Sequence, residues 1–70
     1  MNLVFKTNTE EQQQKFETLL NQSEFYADEI NYEFRSFSFN CSTEDDANIL
    51  EIELQKLADQ NEIDGYFESE

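Results

Sequence analysis

The 70-residue chain contains no histidine, no proline and no tryptophan, and it has only one glycine and one cysteine. Without histidine, the commonest general base is missing, and no serine or cysteine has an imidazole to activate it. Gly65 alone cannot form the glycine-rich loop that holds phosphates, and residues 42–46 lack the spaced ligands and internal glycine of an EF-hand calcium loop. Cys41 has no second cysteine for an internal disulfide. These absences predict that the protein is not an enzyme and uses no metal or cofactor.

Positive charge is equally scarce. Seventeen acidic residues face only four basic ones, Lys6, Lys15, Arg35 and Lys56, which gives a net charge of -13. Contacts to phosphate require lysine and arginine, so direct binding to nucleic acid or to an anionic membrane is not expected. Repulsion among so many carboxylates destabilises a small domain, which indicates a compensating benefit, either solubility or attraction to a basic partner.

Long apolar runs are also missing. No segment approaches the roughly 18–20 residues of a membrane span, and the first residues, MNLVFKTN, lack the apolar segment of a signal peptide. We therefore expect a cytoplasmic protein. Seventy residues lie near the lower limit for a self-sufficient core, so residues 1–70 are expected to form a single domain around the seven phenylalanines.

Two helices are predicted from cap residues and apolar spacing. The first begins near Thr9 and covers residues 10–22, with Phe16, Leu19 and Leu20 as its apolar stripe. The second begins at Thr43 or Glu44 and continues to about residue 60.

The second helix has two faces in this interpretation. Its apolar face comprises Ala47, Leu50, Leu54, Leu57 and Ala58. Ile49 and Ile52 are expected to widen that face on one flank. The opposite face is expected to be an acidic stripe of Glu44, Asn48, Glu51, Gln55, Asp59 and Glu62.

β-Favouring residues predict several strands. Residues 3–7 form the first, and the segment 63–68 is predicted to contain a turn or bulge at Gly65 and a terminal strand. Between the helices, Asp28, Glu29 and Asn31 are the only plausible turn residues, which favours a short strand near residues 25–27 and a long one over residues 30–41.

Within INYEFRSFSFNC, residues 30–41, the apolar positions change parity. They are even at first (Ile30, Tyr32, Phe34) and then odd (Phe37, Phe39, Cys41). We predict a β-bulge at residues 35–36 that re-phases one long strand and leaves Tyr32, Phe34, Phe37 and Phe39 on the core side. The alternative is a tight turn between two strands, which is less favoured because neither residue suits the positive φ of two-residue hairpin turns.

The order β-α-(β)β-α-β predicts an α+β fold, a small ferredoxin-like sandwich with two helices packed on one face of an antiparallel sheet. The other sheet face would remain open. We expect some of the ten aromatic residues to lie there, either as a binding surface, as a cover for a thin sheet or as a homodimer interface.

The C-terminal half combines a β segment (FSFNCST), an acidic helix (EDDANILEIELQKLADQ) and Asp64-Gly65-Tyr66 followed by Phe67-Glu68. Over residues 37–68 it resembles the regulator of ribonuclease E activity B (ribonuclease E inhibitor protein B) family, whose members are small, acidic and ferredoxin-like and carry a Tyr-Asp-Gly-Trp signature. Ile63 stands where the family has Tyr, and Tyr66 where it has Trp. The resemblance implies a non-catalytic inhibitor that binds a ribonuclease by protein–protein contact. A plain turn into an edge strand is the alternative interpretation of residues 64–66.

These observations predict a small acidic regulator that binds and inhibits a basic protein such as a nuclease, through its acidic helices, the open sheet face or both. The candidate partner-binding residues are Glu44, Glu51, Asp59, Glu62, Asp64, Tyr66 and Phe67. One alternative is a nucleic-acid mimic of phage or plasmid origin, of the anti-restriction or anti-CRISPR type, in which carboxylates replace phosphates. Another is a structural module that forms homodimers.

Overall fold

A computed structural model describes residues 2–69. The elements are β1 (Asn2–Thr7), α1 (Glu10–Asn21), β2 (Glu29–Asn31), β3 (Ser36–Asn40), α2 (Glu44–Gln60) and β4 (Gly65–Ser69). The strands form an antiparallel sheet in the order β2-β3-β1-β4, which is the strand order of the ferredoxin-like fold. The predicted fold class is confirmed, as are the first strand, both helices and the terminal strand. Neither helix of this part of the chain has the length and apolar character needed to cross a bilayer.

Both helices begin at a threonine that caps them. Thr9 Oγ1 accepts a hydrogen bond from the Gln12 amide at 3.2 Å, and Thr43 Oγ1 accepts one from the Asp46 amide at 3.1 Å. Acidic residues fill the first turn of each helix, where the helix dipole favours them. The Gln12 side-chain oxygen has no hydrogen-bond partner within residues 2–69. Thus the Thr9 side chain caps α1, but the Gln12 side chain accepts no hydrogen bond from the Thr9 amide in return.

The end of α2 is a Schellman motif, in which the last helical carbonyls are bonded by the amides that follow the helix. The Ile63 amide donates to the Ala58 carbonyl at 2.9 Å, and the Glu62 amide donates to Asp59 at 3.4 Å. Glu62 occupies the left-handed position with φ of 56°, where glycine is usual. Ile63 is thereby turned back into the core and is 5% exposed. This connection places β4 beside β1.

Aromatic rings fill the space between the helices and the sheet. Phe16 of α1 packs on Phe5 of β1 with ring centroids 4.6 Å apart and meets Phe37 of β3 edge-on at 5.0 Å. Phe67 of β4 lies 4.7 Å from Phe5 on its other side. Leu54 of α2 is fully buried against the same cluster. Ile30 of β2 also packs on this cluster, so the core is one connected group that includes both helices and all four strands.

The parity change in residues 30–41 results from a hairpin. β2 and β3 are separate strands joined by residues 32–35, and their register pairs Ile30 with Phe37. The predicted bulge is therefore wrong. Two separate strands are present, as in the alternative, but the turn between them covers residues 32–35 and is not a tight turn at residues 35–36. Asn31 Oδ1 accepts a hydrogen bond from the Phe34 amide at 3.1 Å, and Arg35 has a positive φ of 55°. A four-residue loop needs a left-handed residue only at its last position. Two-residue hairpin turns of type I′, by contrast, need two adjacent left-handed residues.

The left-handed backbone of Arg35 is stabilised from β1. A positive φ costs a non-glycine residue about 1–2 kcal/mol. The Arg35 carbonyl accepts hydrogen bonds from both the amide and the hydroxyl of Thr7, at 3.0 and 3.1 Å, and Arg35 Nε donates to the Thr7 carbonyl at 3.4 Å. Because Thr7 is 2% exposed, these bonds are shielded from water. They offset the local cost and fix the turn against the central strand.

Two other predictions about this region are corrected by the structure. Tyr32 and Phe34 lie in the turn with 62% and 61% of their surface exposed, so they are not core residues. Residues 25–27 are not a strand. Asp28 takes over the pairing with β3, since its amide donates to the Ser38 carbonyl at 2.8 Å and its carboxylate accepts from the Asn40 amide at 2.7 Å. These two bonds leave residues 25–27 irregular beside α1.

The open face of the sheet is mostly polar. The strand residues that alternate with the core positions lie on this face. They include Val4, Lys6, Glu29, Asn31, Ser36, Ser38, Tyr66 and Glu68. Of the aromatic strand residues, only Tyr66 lies there, and Phe34 reaches its rim from the turn. The expected aromatic surface is therefore limited to Tyr66 and the rim residue Phe34, because Phe37, Phe39 and Phe67 all point to the helices.

Gly65 is required by close packing, and we expect Gly65→Ala to lower the free energy of unfolding by about 1–3 kcal/mol. A Cβ atom at this position would lie 2.5 Å from the Lys6 carbonyl oxygen and 2.6 Å from the Phe5 ring. A backbone oxygen and a buried ring cannot move away cheaply. Urea denaturation followed by circular dichroism measures the loss. The control is Glu68→Ala on the same strand, which removes only the exposed 3.2 Å ion pair with Lys6 and should cost below about 1 kcal/mol. Equal stability of the two variants would contradict the packing at Gly65.

Candidate protein-binding surface

The outer side of α2 carries two isoleucines that lie outside the buried core. Ile49 and Ile52 are each 58% exposed. At 100° per residue they lie about 140° and 160° around the helix from the buried Leu54, on the side facing away from the sheet. The prediction that they widen the core face is wrong. The five inward positions already fill the space above the sheet, with Ala47 and Ala58 as small residues in close contact with it.

Carboxylates adjoin this apolar pair at Ile49. The neighbours of Ile49 at three and four residues along the helix are Asp45, Asp46 and Glu53, all exposed. We call Ile49, Ile52 and these three acidic residues the α2 surface. Lys56 lies at one end of it, four residues after Ile52. An apolar centre with a charged rim is the composition typical of a protein-binding site.

The predicted acidic stripe lies on a flank of the helix, adjacent to the α2 surface. Glu44, Glu51 and Asp59 are all exposed. Glu44 and Glu51 lie about 60–80° around the helix from Leu54, beside the core face, whereas Asp59 lies about 140° from it, as far round as Ile49 but on the other side. Gln55 Nε2 donates to the Asp59 carboxylate at 2.9 Å, which orders this flank. The stripe and the α2 surface together make most of the exposed side of α2 acidic.

The remaining candidate residues lie beyond the helix. Glu62 and Asp64 are exposed in the connection to β4, where the Asp64 carbonyl accepts from the Asn8 amide at 3.3 Å. Tyr66 is 51% exposed on the open face of the sheet. Phe67 is on the other face and packs on Phe5, so its ring belongs to the core. The structure thus spaces Glu44, Glu51 and Asp59 along one side of α2, and it separates Tyr66 from Phe67.

Two of the four cations are engaged away from α2, and a third binds the carbonyl of its C-cap residue, Asn61. Lys6 pairs with Glu68, Arg35 bonds the Thr7 carbonyl, and Lys15 Nζ donates to the Asn61 carbonyl at 2.6 Å. Within residues 2–69, no ion pair neutralises a carboxylate of α2. The negative potential of this helix is therefore directed to solvent and to any partner that approaches.

The described residues offer no cluster of three metal-ligating side chains. Cys41 is half-buried just after β3, with its thiol 3.8 Å from the Phe39 carbonyl. Its position among core-contacting residues is that of a small apolar side chain.

Comparisons of the chain with protein-family models, with curated proteins and with solved structures give no match. An assignment of function therefore has to come from the surface of the molecule. The property of that surface that departs most from a neutral globular domain is the acidic α2 helix with its exposed isoleucine pair.

Proposed function

We propose that this chain is a small, non-catalytic cytoplasmic regulator that binds a basic protein through the α2 surface and inhibits it. The observation that carries the proposal is the exposed pair Ile49 and Ile52 inside a rim of unpaired carboxylates. A helix that served solubility alone would have no reason to expose two isoleucines at its outermost positions.

The two parts of the α2 surface have different roles in binding. Burying an isoleucine fully contributes roughly 1.5–3 kcal/mol, so the exposed fractions of Ile49 and Ile52 together contribute about 2–3 kcal/mol. The carboxylates add long-range attraction, which raises association rates with an oppositely charged partner by roughly 10- to 1,000-fold. The apolar contact would slow dissociation, and the charge would speed association.

A basic protein whose natural ligand is a nucleic acid is the partner class that this surface fits best. Such proteins present lysine and arginine arranged to contact phosphates. Glu44, Asp45 and Asp46 begin α2 as three consecutive exposed carboxylates, and the acidic flank continues along the helix. Occupying a phosphate-binding surface in this way would block a nuclease. This form of the proposal agrees with the resemblance of residues 37–68 to ribonuclease inhibitors and with an inhibitor of phage or plasmid origin.

The test is capture of the partner from a lysate with identification by mass spectrometry. The tagged wild-type chain is expected to retain a basic protein at low ionic strength and to release it at about 0.5 M salt, where exposed charges are screened. The double variant Ile49→Ser/Ile52→Ser should lose the same protein. The matched control is Phe34→Ser, which removes an equally exposed apolar side chain from the hairpin turn and should retain it.

Inhibition is measured on the purified partner. Adding wild-type protein should reduce the nuclease activity of the captured protein, and the Ile49→Ser/Ile52→Ser variant should not. Capture that is insensitive to salt, or that is equal for both variants, would count against the α2 surface. Sedimentation of the free chain distinguishes this proposal from the homodimer alternative. A stable dimer that formed through α2 would cover the α2 surface and leave it inaccessible to a partner.

A further inference from the structure

A concave site lies between α1 and residues 22–28, which connect α1 to β2. Its volume is about 380 Å³, and its lining residues are Glu17, Leu20, Asn21, Ser23, Glu24, Phe25, Tyr26, Ala27 and Ile30. No α2 residue lines it, so it is separate from the α2 surface. We call it the α1 pocket. Its volume is near the lower end of ligand sites, which span roughly 300–1,000 Å³. It can therefore receive a single side chain and is too small for a helix.

The pocket has an apolar floor and an acidic, aromatic wall. Leu20 is buried, and Phe25, Ala27 and Ile30 are half-buried where they pack on the core. Glu17 and Glu24 contribute two carboxylates. The Tyr26 ring is 82% exposed, so it is held by few contacts and its face is accessible.

Tyr32 of the hairpin turn lies beside Glu17, at the edge of the pocket. A hydrogen bond to the Glu17 carboxylate raises the pKa of Tyr32, with smaller contributions from burial and from the negative charge of Glu17. Gln13 Nε2 also donates to Glu17 at 3.4 Å. The Glu17 carboxylate is thus held in place by two neighbours at the edge of the pocket, and no basic side chain of the described residues lines it.

We propose that the α1 pocket receives an arginine side chain of the basic partner. The apolar floor suits the methylene stem, as amphipathic side chains bury their stems along apolar surface. The planar guanidinium can pair with Glu17 or Glu24 and stack on the face of Tyr26. Lysine offers only a point charge without the planar face, so arginine is the better fit. This inference rests on the proposed function for the existence of a basic partner, and it assigns a second contact that the acidic helix does not supply.

The experiment uses the full chain and no partner protein. N-acetyl-arginine amide is titrated into ¹⁵N-labelled protein at physiological salt, and amide shifts are recorded. We expect saturable shifts confined to residues around Glu17, Glu24 and Tyr26. The neutral isostere N-acetyl-citrulline amide should produce none, and N-acetyl-lysine amide should bind about two- to fivefold more weakly.

Two variants test the named groups. Tyr26→Ala and Glu24→Gln should each weaken binding of the arginine amide about two- to fivefold, while Glu53→Gln on the α2 surface should leave it unchanged. Equal shifts with citrulline, equal binding of lysine, or shifts centred on α2 would each overturn the proposal. Because no partner is present, a failed titration rejects the α1 pocket and leaves the α2 surface standing, whereas failed capture from the lysate leaves the titration result intact.

Discussion

Replacing Phe16 with alanine is expected to leave most of the protein unfolded at 25 °C. Phe16 is fully buried and contacts both Phe5 and Phe37. Removing such a ring costs about 3–5 kcal/mol. A domain of this length has a total stability of roughly 3.5–10 kcal/mol, and a net charge of -13 places it toward the lower end. The loss is therefore comparable to the whole stability.

Far-UV circular dichroism and urea denaturation measure this effect. Phe16→Ala should show a weak helical signal without a cooperative transition, and Phe16→Leu should remain folded with reduced stability, because leucine fills part of the cavity. The matched control is Phe34→Ala, which removes a ring that is 61% exposed and should change stability by less than about 0.5 kcal/mol. A cooperative Phe16→Ala variant with nearly wild-type stability would contradict the aromatic core.

The helices were predictable because their determinants are local. Thr43 and the acidic residues after it satisfy the first amides of α2 from within one turn, so the start of the helix can be identified without knowing the fold. The spacing of Leu54 and Ala58 then identifies the buried side. The order of elements was enough to predict the ferredoxin-like arrangement, since few topologies accommodate it.

The hairpin was mispredicted because its stability comes from a distant residue. Arg35 adopts a left-handed backbone that local turn preferences disfavour, and Thr7 stabilises it from 28 positions earlier in the chain. Once that contact exists, the change in parity needs no bulge. The polar open face follows from the same hairpin, because it pairs Ile30 with Phe37 and directs both to the core.

The acidic character of the candidate site was predictable from the sequence, but its apolar centre was not. Seven apolar positions in α2 form a face wider than the sheet can cover, and the sequence does not say which of them are left out. Packing decides this, and Ile49 and Ile52 are the two that remain outside. The α1 pocket was missed because residues 25–27 were assigned to a strand, whose regular pairing would have removed the cavity.

Neutralising four carboxylates of α2 is expected to slow association with the captured partner on the order of 100-fold at low salt. The variant combines Asp45→Asn, Asp46→Asn, Glu51→Gln and Glu53→Gln, which reduces the net charge from -13 to -9. These residues are exposed and lack basic partners within residues 2–69, so their field acts on an approaching protein. Surface plasmon resonance should show a reduced association rate, a shallower salt dependence and little change in dissociation, because Ile49 and Ile52 remain.

The control has the same net charge and also loses two carboxylates from the first turn of a helix. It combines Glu10→Gln and Glu11→Gln, in the first turn of α1, with Glu29→Gln and Glu33→Gln, all four exposed. Two first-turn acidic residues are lost from a helix in each variant, so the cost to helix stability is matched. If the charge acts through the α2 surface, the control should associate less than about threefold more slowly than the wild type. Equal slowing of both variants would mean that the charge attracts the partner as a whole-molecule property, and no slowing in either would assign it to solubility alone.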